Sequence, residues 1–299
     1  MVKLPEAKQA AEAQKGAWLS IFSYLILSVT KCWIGVTAKS QGLFADGLNN
    51  VSDILLSVAI LIGLRVAVQP ADKNHPFGHS KAETVATLVA ASFMVLVALE
   101  VWIGAIEAWL QTRQEKIDPD ALVVSLLAAL VMFLVSSVNF ALSRKTKSEA
   151  LKAAAHDNRS DAFVSLGAAA GIVGTNWGWA WMDPLAAFVV GLLILRTGYE
   201  VGKPAIDVLM DGFDEERTSQ IEERVIQIKG IREVKELRAR NQGSHVFVEL
   251  TVGVDAHLSV EASHRLTERV EDTLIGFAGI AHVHVHVEPV EQPKETVSS

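Results

Sequence analysis

Long apolar runs fill the first two-thirds of the chain, and beyond about residue 210 the pattern changes to short segments of alternating charge. Six runs each supply the roughly 20 residues that cross a bilayer core: about 16–38, 43–68, 84–110, 119–143, 150–175 and 179–201. They are not uniformly apolar. The third contains Glu100 and Glu107, the fifth is polar over its first half, and the sixth is interrupted early by Asp183 and Pro184. Polar residues at membrane depth mark buried function or bundle contacts, although a proline in the first turn of a helix is ordinary. Beyond Asp211, DEERTSQIEERVIQI and SVEASHRLTERVEDTLIGF have helical apolar spacing, while EVKELRAR, HVFVELTVGV and AHVHVHVE alternate with period two. The order helix, strand, strand, helix, strand predicts a three-stranded sheet covered on one face by two helices.

The expected fold is a polytopic α-helical membrane protein with six transmembrane helices, followed by a C-terminal cytoplasmic α+β domain. The expected divisions are a cytoplasmic amino-terminal segment (1–15), a membrane domain (16–205), the C-terminal domain (206–290) and a disordered tail (291–299). The first residues, MVKLPEAKQAAEAQKG, lack the basic-then-apolar layout of a cleaved signal, so the first helix is expected to be retained. Lysine and arginine set the orientation. Lys3, Lys8 and Lys15 precede the first helix, Arg65, Lys73 and Lys81 lie around the second connection, and Arg144, Lys145, Lys147 and Lys152 around the fourth. The other connections hold only Lys39, then Arg113 and Lys116, then none. That excess predicts cytoplasmic termini and three short outer loops. Trp177, Trp179 and Trp181 of NWGWAWMD suit an interfacial aromatic belt.

Composition narrows the classes. Half of the 299 residues are apolar and a fifth are charged, which is too apolar for an ordinary soluble chain. A net charge of −7 argues against nucleic-acid binding, which wants a basic stripe. The single cysteine, Cys32, excludes an internal disulfide framework and reads as a small buried hydrophobe.

The chemistry concentrates in four oxygen-bearing side chains. Asn49 and Asp53 in the second run, and Asp157 and Asp161 in the fifth, are each spaced i, i+4. On helices each pair shares a face, and two such helices side by side would converge four oxygen ligands on one point. Three carboxylates at membrane depth, each costing on the order of 3 kcal/mol by insertion scales, demand a cation or protons. An alternative is that they only bond helix to helix, or that the fifth run is a surface segment. Oxygen-only sets suit Mn²⁺, Mg²⁺ or Ca²⁺; a four-residue cage completed by water fits Mn²⁺, with Fe²⁺ close behind, and imidazole would be needed to favour Zn²⁺. Asp46 precedes Asn49 by three and reads either as a supporting or a cation-access group; Asn50 and Asn158 read as helix-to-helix bonding residues. His156 points about 100° away from Asp157 and is not expected in the same cage, and Arg159 is similarly off-axis.

Two further clusters offer imidazole. In QPADKNHPFGHSKAE, Asp72, His75 and His79 read either as a Zn²⁺ or mixed-metal site or as a polar loop with pH-responsive histidines. In the last strand His282, His284, His286 and Glu288 alternate onto one face; with His264 they read either as a metal site at a subunit boundary or as a solvated face.

At these residues the chain resembles the cation diffusion facilitator family of metal/proton antiporters, over about residues 12–290. The resemblance is carried by ADGLNNVSD, DNRSD, QPADKNHPFGHSKAE and LMDGFDEER. It implies six helices and a cytoplasmic metallochaperone-like (ferredoxin-like) domain. Zinc members place histidine or aspartate where this chain has Asn49, and often histidine where it has Asp157; the set here is similar to the manganese branch, with iron the nearest rival. By the same resemblance Asp72, His75 and His79 match a loop site of zinc exporters. Lys81 and Asp211 match a charge interlock of the dimer, and His264, His286 and Glu288 align with C-terminal ligands. Lys235 and Thr251 fall where zinc exporters have histidines, which implies a weaker or single-ion regulatory site.

The expected function is a homodimeric exporter in a bacterial plasma (inner) membrane that moves Mn²⁺ out in exchange for protons by alternating access, with no prosthetic group. Alternatives are an Fe²⁺ or Zn²⁺/Cd²⁺ exporter and a non-transporting membrane metal sensor. An intramembrane hydrolase would need a serine or cysteine constellation that does not accompany the aspartates.

Overall fold

A computed structural model describes residues 6–110, 116–146, 149–242 and 245–290. The expected tail, Lys3, Arg113 and Lys147 lie outside the described residues. Six long helices come first: α1 (Glu6–Thr37), α2 (Gln41–Ala67), α3 (Lys81–Leu110), α4 (Pro119–Thr146), α5 (Glu149–Asn176) and α6 (Met182–Leu209). Then follow α7 (Glu215–Ile226), β1 (Glu233–Gln242), β2 (His245–Asp255), α8 (Val260–Leu274) and β3 (Ile280–Val290).

The helix ends differ from expectation in two places. α1 begins well before the apolar run, because EAKQAAEAQK is rich in the strongest helix formers. α6 starts only after the tryptophan turn and continues through Pro204 to Leu209, although a proline there removes one i→i−4 bond. Five of the six helices are long and apolar enough to cross a membrane; α5 has the length but carries Asp157, Asn158, Arg159 and Asp161 in its first half.

Two compact units divide the chain: one takes in Met1–Ala59 and Val89–Val201, the other Ile60–Leu88 and Gly202–Ser299. In the first unit, α1, α4 and α5 pack around Leu27, Ala128, Met132 and Ala162, and α3 and α6 around Met94, Ala98, Val101, Val190 and Ile194, with Ala45 of α2. Small residues permit the close crossings. A Cβ at Gly35 would lie 2.6 Å from the Phe44 backbone nitrogen, so α1 and α2 meet backbone to backbone. At Gly191 the missing side chain receives the Trp102 ring, whose indole nitrogen donates to the Phe188 carbonyl at 3.1 Å. Outward-facing Leu, Ile, Val and Phe side chains leave an apolar exterior that suits lipid.

The second unit contains the sheet, ordered β1-β2-β3, with β1 and β2 antiparallel and β2 and β3 parallel. Val246, Val248, Leu250, Val252 and Val254 alternate onto the face covered by α7 and α8, which contribute Ile221, Val225, Leu266, Val270 and Leu274. Asp214 and Ser259 cap these helices through side-chain bonds to Arg217 N and Ala262 N. The anticipated two-helix cover on one face is what the structure has.

Candidate functional site

The helical spacing places the four membrane-depth residues on α2 and α5, but it joins three of them rather than four. Asn49 Nδ2 donates to Asp161 Oδ1 at 3.0 Å and lies 3.5 Å from Asp53 Oδ2. Asp161 is almost fully buried, whereas Asp157, one turn earlier on α5, is exposed and hydrogen-bonds to none of the other three among the described residues. The carboxylates therefore span the site without closing to a single point. As oriented, Asn49 presents its amide nitrogen to the carboxylates; presenting its oxygen to a cation requires turning the amide over.

Helix α1 supplies a partner that the sequence reading missed. The Tyr24 hydroxyl donates to Asp161 Oδ2 at 2.6 Å, so both oxygens of that carboxylate are engaged. A tyrosine in an apolar run reads as interfacial or core, and only the packing of α1 beside α5 reveals its partner. Lys31 was missed as well. It is wholly buried and bonds Asp46, Asn50 and Ser165; its signal was a single lysine in the middle of a membrane run. Asp46 is thus the partner of a lysine. Asn158 donates to Ser20 Oγ at 3.0 Å and Asn50 accepts from Lys31 at 2.7 Å, so the two asparagines read as inter-helix residues do bond across helices; Asn139 of α4, which that reading did not include, also donates to Ser20 Oγ at 2.8 Å. His156 stacks edge-on against Phe140, and the Arg159 guanidinium lies over the Phe163 ring, 5.8 Å from its centre.

The connection between α2 and α3 builds a second cluster. One ligand atom from each of Asp72, His75 and His79 lies within 4.8 Å of the others. Among the described residues this is the one group of three or more acidic, histidine or cysteine side chains that meets that spacing. The loop shape follows from Asp72, which accepts from the backbone of Asn74 at 2.8 Å and of His75 at 2.6 Å. Those bonds hold the Asp72 carboxyl below its usual range, and it remains a charged partner for His75 Nδ1 at 3.1 Å and His79 Nε2 at 3.4 Å. One carboxylate and two imidazoles are donors that suit Zn²⁺. Nearby, Phe77 packs edge-on against Phe247 of β2.

Lys81 Nζ donates to Asp211 Oδ1 at 2.8 Å within the same chain, tying the start of α3 to the turn after α6. Lys81 holds the Asp211 carboxyl below its usual range, helped by Arg240 at 3.7 Å.

The C-terminal residues do not gather into one site. His282, His284 and His286 alternate on the open face of β3, as the period required. Glu288, however, is paired with Lys235 at 2.8 Å, His286 lies 3.9 Å from Glu288, and His264 faces Glu268 on its own helix at 3.5 Å. Thr251 sits beside His286 in the β2–β3 register.

Comparison with known proteins agrees with this architecture. The family description "Cation efflux transmembrane domain" matches residues 17–210, and "Cation efflux protein, cytoplasmic domain" matches 213–290. Manganese efflux system protein MneS of Bacillus subtilis is 42% identical over 94% of this chain and 97% of its own length. The uncharacterized transporter YdbO of the same organism is 42% identical over 93% and 96%, and manganese efflux system protein MneP is 27% identical over 93% and 96%. Two family matches that together run almost end to end, and relatives matched along nearly their whole length, establish that the chain is an integral membrane transporter that exports divalent metal cations, a member of the cation diffusion facilitator family.

Proposed function

We propose that the protein exports Mn²⁺ from the cytoplasm in exchange for protons, with Asn49, Asp53, Asp157 and Asp161 as the transport site. The observation that carries this reading is the Asn49–Asp161 bond, which links α2 to α5 through an oxygen-rich set without imidazole. Such donors favour Mn²⁺ over Zn²⁺, and two relatives bear the name manganese efflux system protein. Fe²⁺, and less readily Zn²⁺ or Cd²⁺, are the competing cargoes.

In the structure Tyr24 and Asn49 satisfy both oxygens of Asp161. Loading a cation requires both donors to yield: the Asn49 amide turns its oxygen inward and the Tyr24 hydroxyl moves aside. Asp157, exposed on the next turn, completes the set when α5 shifts toward α2. On the opposite side protons compete for the same carboxylates, lowering charge and affinity together. Rocking of helices around a fixed site gives alternating access.

The remaining assignments are part of the same proposal. Residues 16–205 form the transporting domain in a bacterial inner membrane, with both termini cytoplasmic. Residues 206–290 form a sensing and dimerisation domain in a homodimer, in which Lys81 and Asp211 brace the start of α3 and His264, His286 and Glu288 contribute weak regulatory ligands. The mixed donors of Asp72, His75 and His79 favour a separate Zn²⁺-type regulatory site in the loop.

The test is uptake into inverted vesicles of Mn²⁺, Fe²⁺, Zn²⁺ and Cd²⁺ under an imposed pH gradient. Mn²⁺ movement that dissipates the gradient and disappears in Asp161→Ala is the expected result. Faster Zn²⁺ movement would overturn the manganese assignment, and absence of flux for every ion would turn the protein into a sensor.

A further inference from the structure

Three residues from Asn49 along α2 lies a second buried polar cluster, which the proposed transport site does not use. Lys31 has no exposed surface, and its ammonium donates to Asp46 Oδ1 at 2.9 Å, Asn50 Oδ1 at 2.7 Å and Ser165 Oγ at 3.0 Å. Three N–H groups meet three oxygens, so the ammonium is saturated. Gly47 makes the approach possible: a Cβ there would lie 2.7 Å from Cys32 Sγ and 2.8 Å from the Cys32 backbone nitrogen. Helix α1 thus delivers a fixed positive charge onto the same two helices that carry the tetrad.

Position along those helices gives the cluster its meaning. Asp46 precedes Asn49 by three residues on α2, and Ser165 follows Asp161 by four on α5. Both steps lead toward the end of the bundle where α1 turns into α2 and α5 into α6. At that end lies a cavity of about 450 Å³ whose lining includes Gly35, Ala45, Glu100, Glu107, Lys39 and Asp183. Gly35 is one turn beyond Lys31 and Ala45 adjoins Asp46, so the cavity begins where the lysine cluster ends. The order along the bundle is tetrad, ammonium, cavity.

The oxygens around the ammonium form a cation cradle in their own right: a carboxylate, an amide oxygen and a hydroxyl. Asp46 Oδ2 is buried and has no hydrogen-bond partner among the described residues. These are hard donors like those of the tetrad.

We propose that Lys31 is a tethered counter-cation that holds the next cation position between the tetrad and this cavity, and so keeps that side of the transport site shut. The idea rests on the reading of Asn49 and Asp161 as transport ligands. A divalent ion leaving the tetrad on this side finds the next oxygens, those of Asp46, Asn50 and Ser165, already taken by an ammonium that Asp46 neutralises. Passage requires the flexible lysine stem to withdraw its ammonium, and the vacated oxygens of Asp46, Asn50 and Ser165 then receive the ion in transit. Lys31 is a positioning residue in this scheme, because it touches the acceptors rather than the ion.

The test uses the full-length protein in reconstituted vesicles. Lys31→Gln is combined with Asp46→Asn, so that no buried carboxylate is left without its counter-ion, and is compared with Lys31→Arg. The readout is Mn²⁺ leak down its own gradient after an ionophore has collapsed the proton gradient, alongside equilibrium Mn²⁺ binding. The expected result is a leak raised about tenfold in the double variant, a decade in rate, with binding little changed and Lys31→Arg as tight as the native protein. A double variant that stays as tightly coupled as the native protein overturns the proposal, as does one that loses Mn²⁺ binding, since the cluster would then only support the tetrad. If the double variant does not assemble, Ser165→Ala removes one acceptor without altering charge; a measurable leak supports the proposal and a native leak rate overturns it. Failure of the underlying reading shows separately, as Mn²⁺ transport persisting in Asp161→Ala.

Discussion

The amide nitrogen of Asn49, not its oxygen, faces Asp161 Oδ1 across 3.0 Å between α2 and α5. The contact bridges the two helices through an amide whose oxygen, turned inward, is the hard donor of the proposed transport site. Replacing Asn49 with histidine exchanges that oxygen for an imidazole nitrogen, a donor that favours Zn²⁺. The Zn²⁺-to-Mn²⁺ ratio of uptake rates should rise about tenfold, equivalent to ~1.4 kcal/mol. Competition uptake with both ions in one vesicle preparation measures it, and an unchanged ratio would remove Asn49 from the selectivity set.

Tyr24 donates to the other oxygen of Asp161 at 2.6 Å. Hydrogen bonds to a charged group contribute ~1.5–3 kcal/mol, which a cation taking the same oxygen has to displace. Tyr24→Phe should therefore strengthen apparent Mn²⁺ affinity about tenfold while leaving membrane insertion intact. Initial uptake rates across an Mn²⁺ series separate this from a fall in maximal rate; a normal half-saturation would make the hydroxyl a bystander.

How far such partners could be read in advance depends on the range of the interaction. The i, i+4 pairs and the alternating histidines of β3 were legible because helix and strand periodicity fix which residues share a face. The Asp72 loop was legible because its three donors lie within eight residues. Tyr24 and Lys31 were not, because the Tyr24 partner is 137 residues away and Lys31 meets Asp46, Asn50 and Ser165, 15, 19 and 134 residues on, only through the packing of α1 against α2 and α5. Spacing likewise could not foresee that Asp157 would stay exposed while Asp161 is buried. That difference depends on how α5 is rotated against its neighbours.

Asp211 occupies a left-handed backbone position, φ 59°, and is ion-paired with Lys81. Its carboxyl is held below the usual range, so the pair contributes stability above the ordinary aspartate value near pH 3.9 and loses it as pH falls through the lower folded value. Asn tolerates the same backbone region, so Asp211→Asn removes the charge without adding strain. Both partners are partly exposed, which limits the effect to ~0.2–1 kcal/mol. Thermal melts should show a small, constant deficit from pH 5 to 8 that closes only in strong acid; a deficit that varied across pH 5–8 would mean another group is involved.

Lys235 is paired with Glu288, one of the proposed C-terminal ligands. Its ammonium donates to Glu288 at 2.8 Å; the contact keeps the Glu288 carboxyl below its usual range and the lysine above its own. A cation approaching Glu288 and His286 must therefore displace a resident positive charge, and His264 remains turned to Glu268 on its own helix. Binding by the native domain should be weak for this reason rather than for want of ligands. Lys235→Ala frees the carboxylate, and Lys235→His also supplies an imidazole where a cation had stood. Titration of Zn²⁺ into the full-length protein, with His79→Ala in the background to silence the loop, should show affinity rising from native to Lys235→Ala to Lys235→His, each step about tenfold. Equal affinity in all three would mean that Glu288 takes no part in holding metal, and the exposed histidine face of β3 would then be a solvated surface.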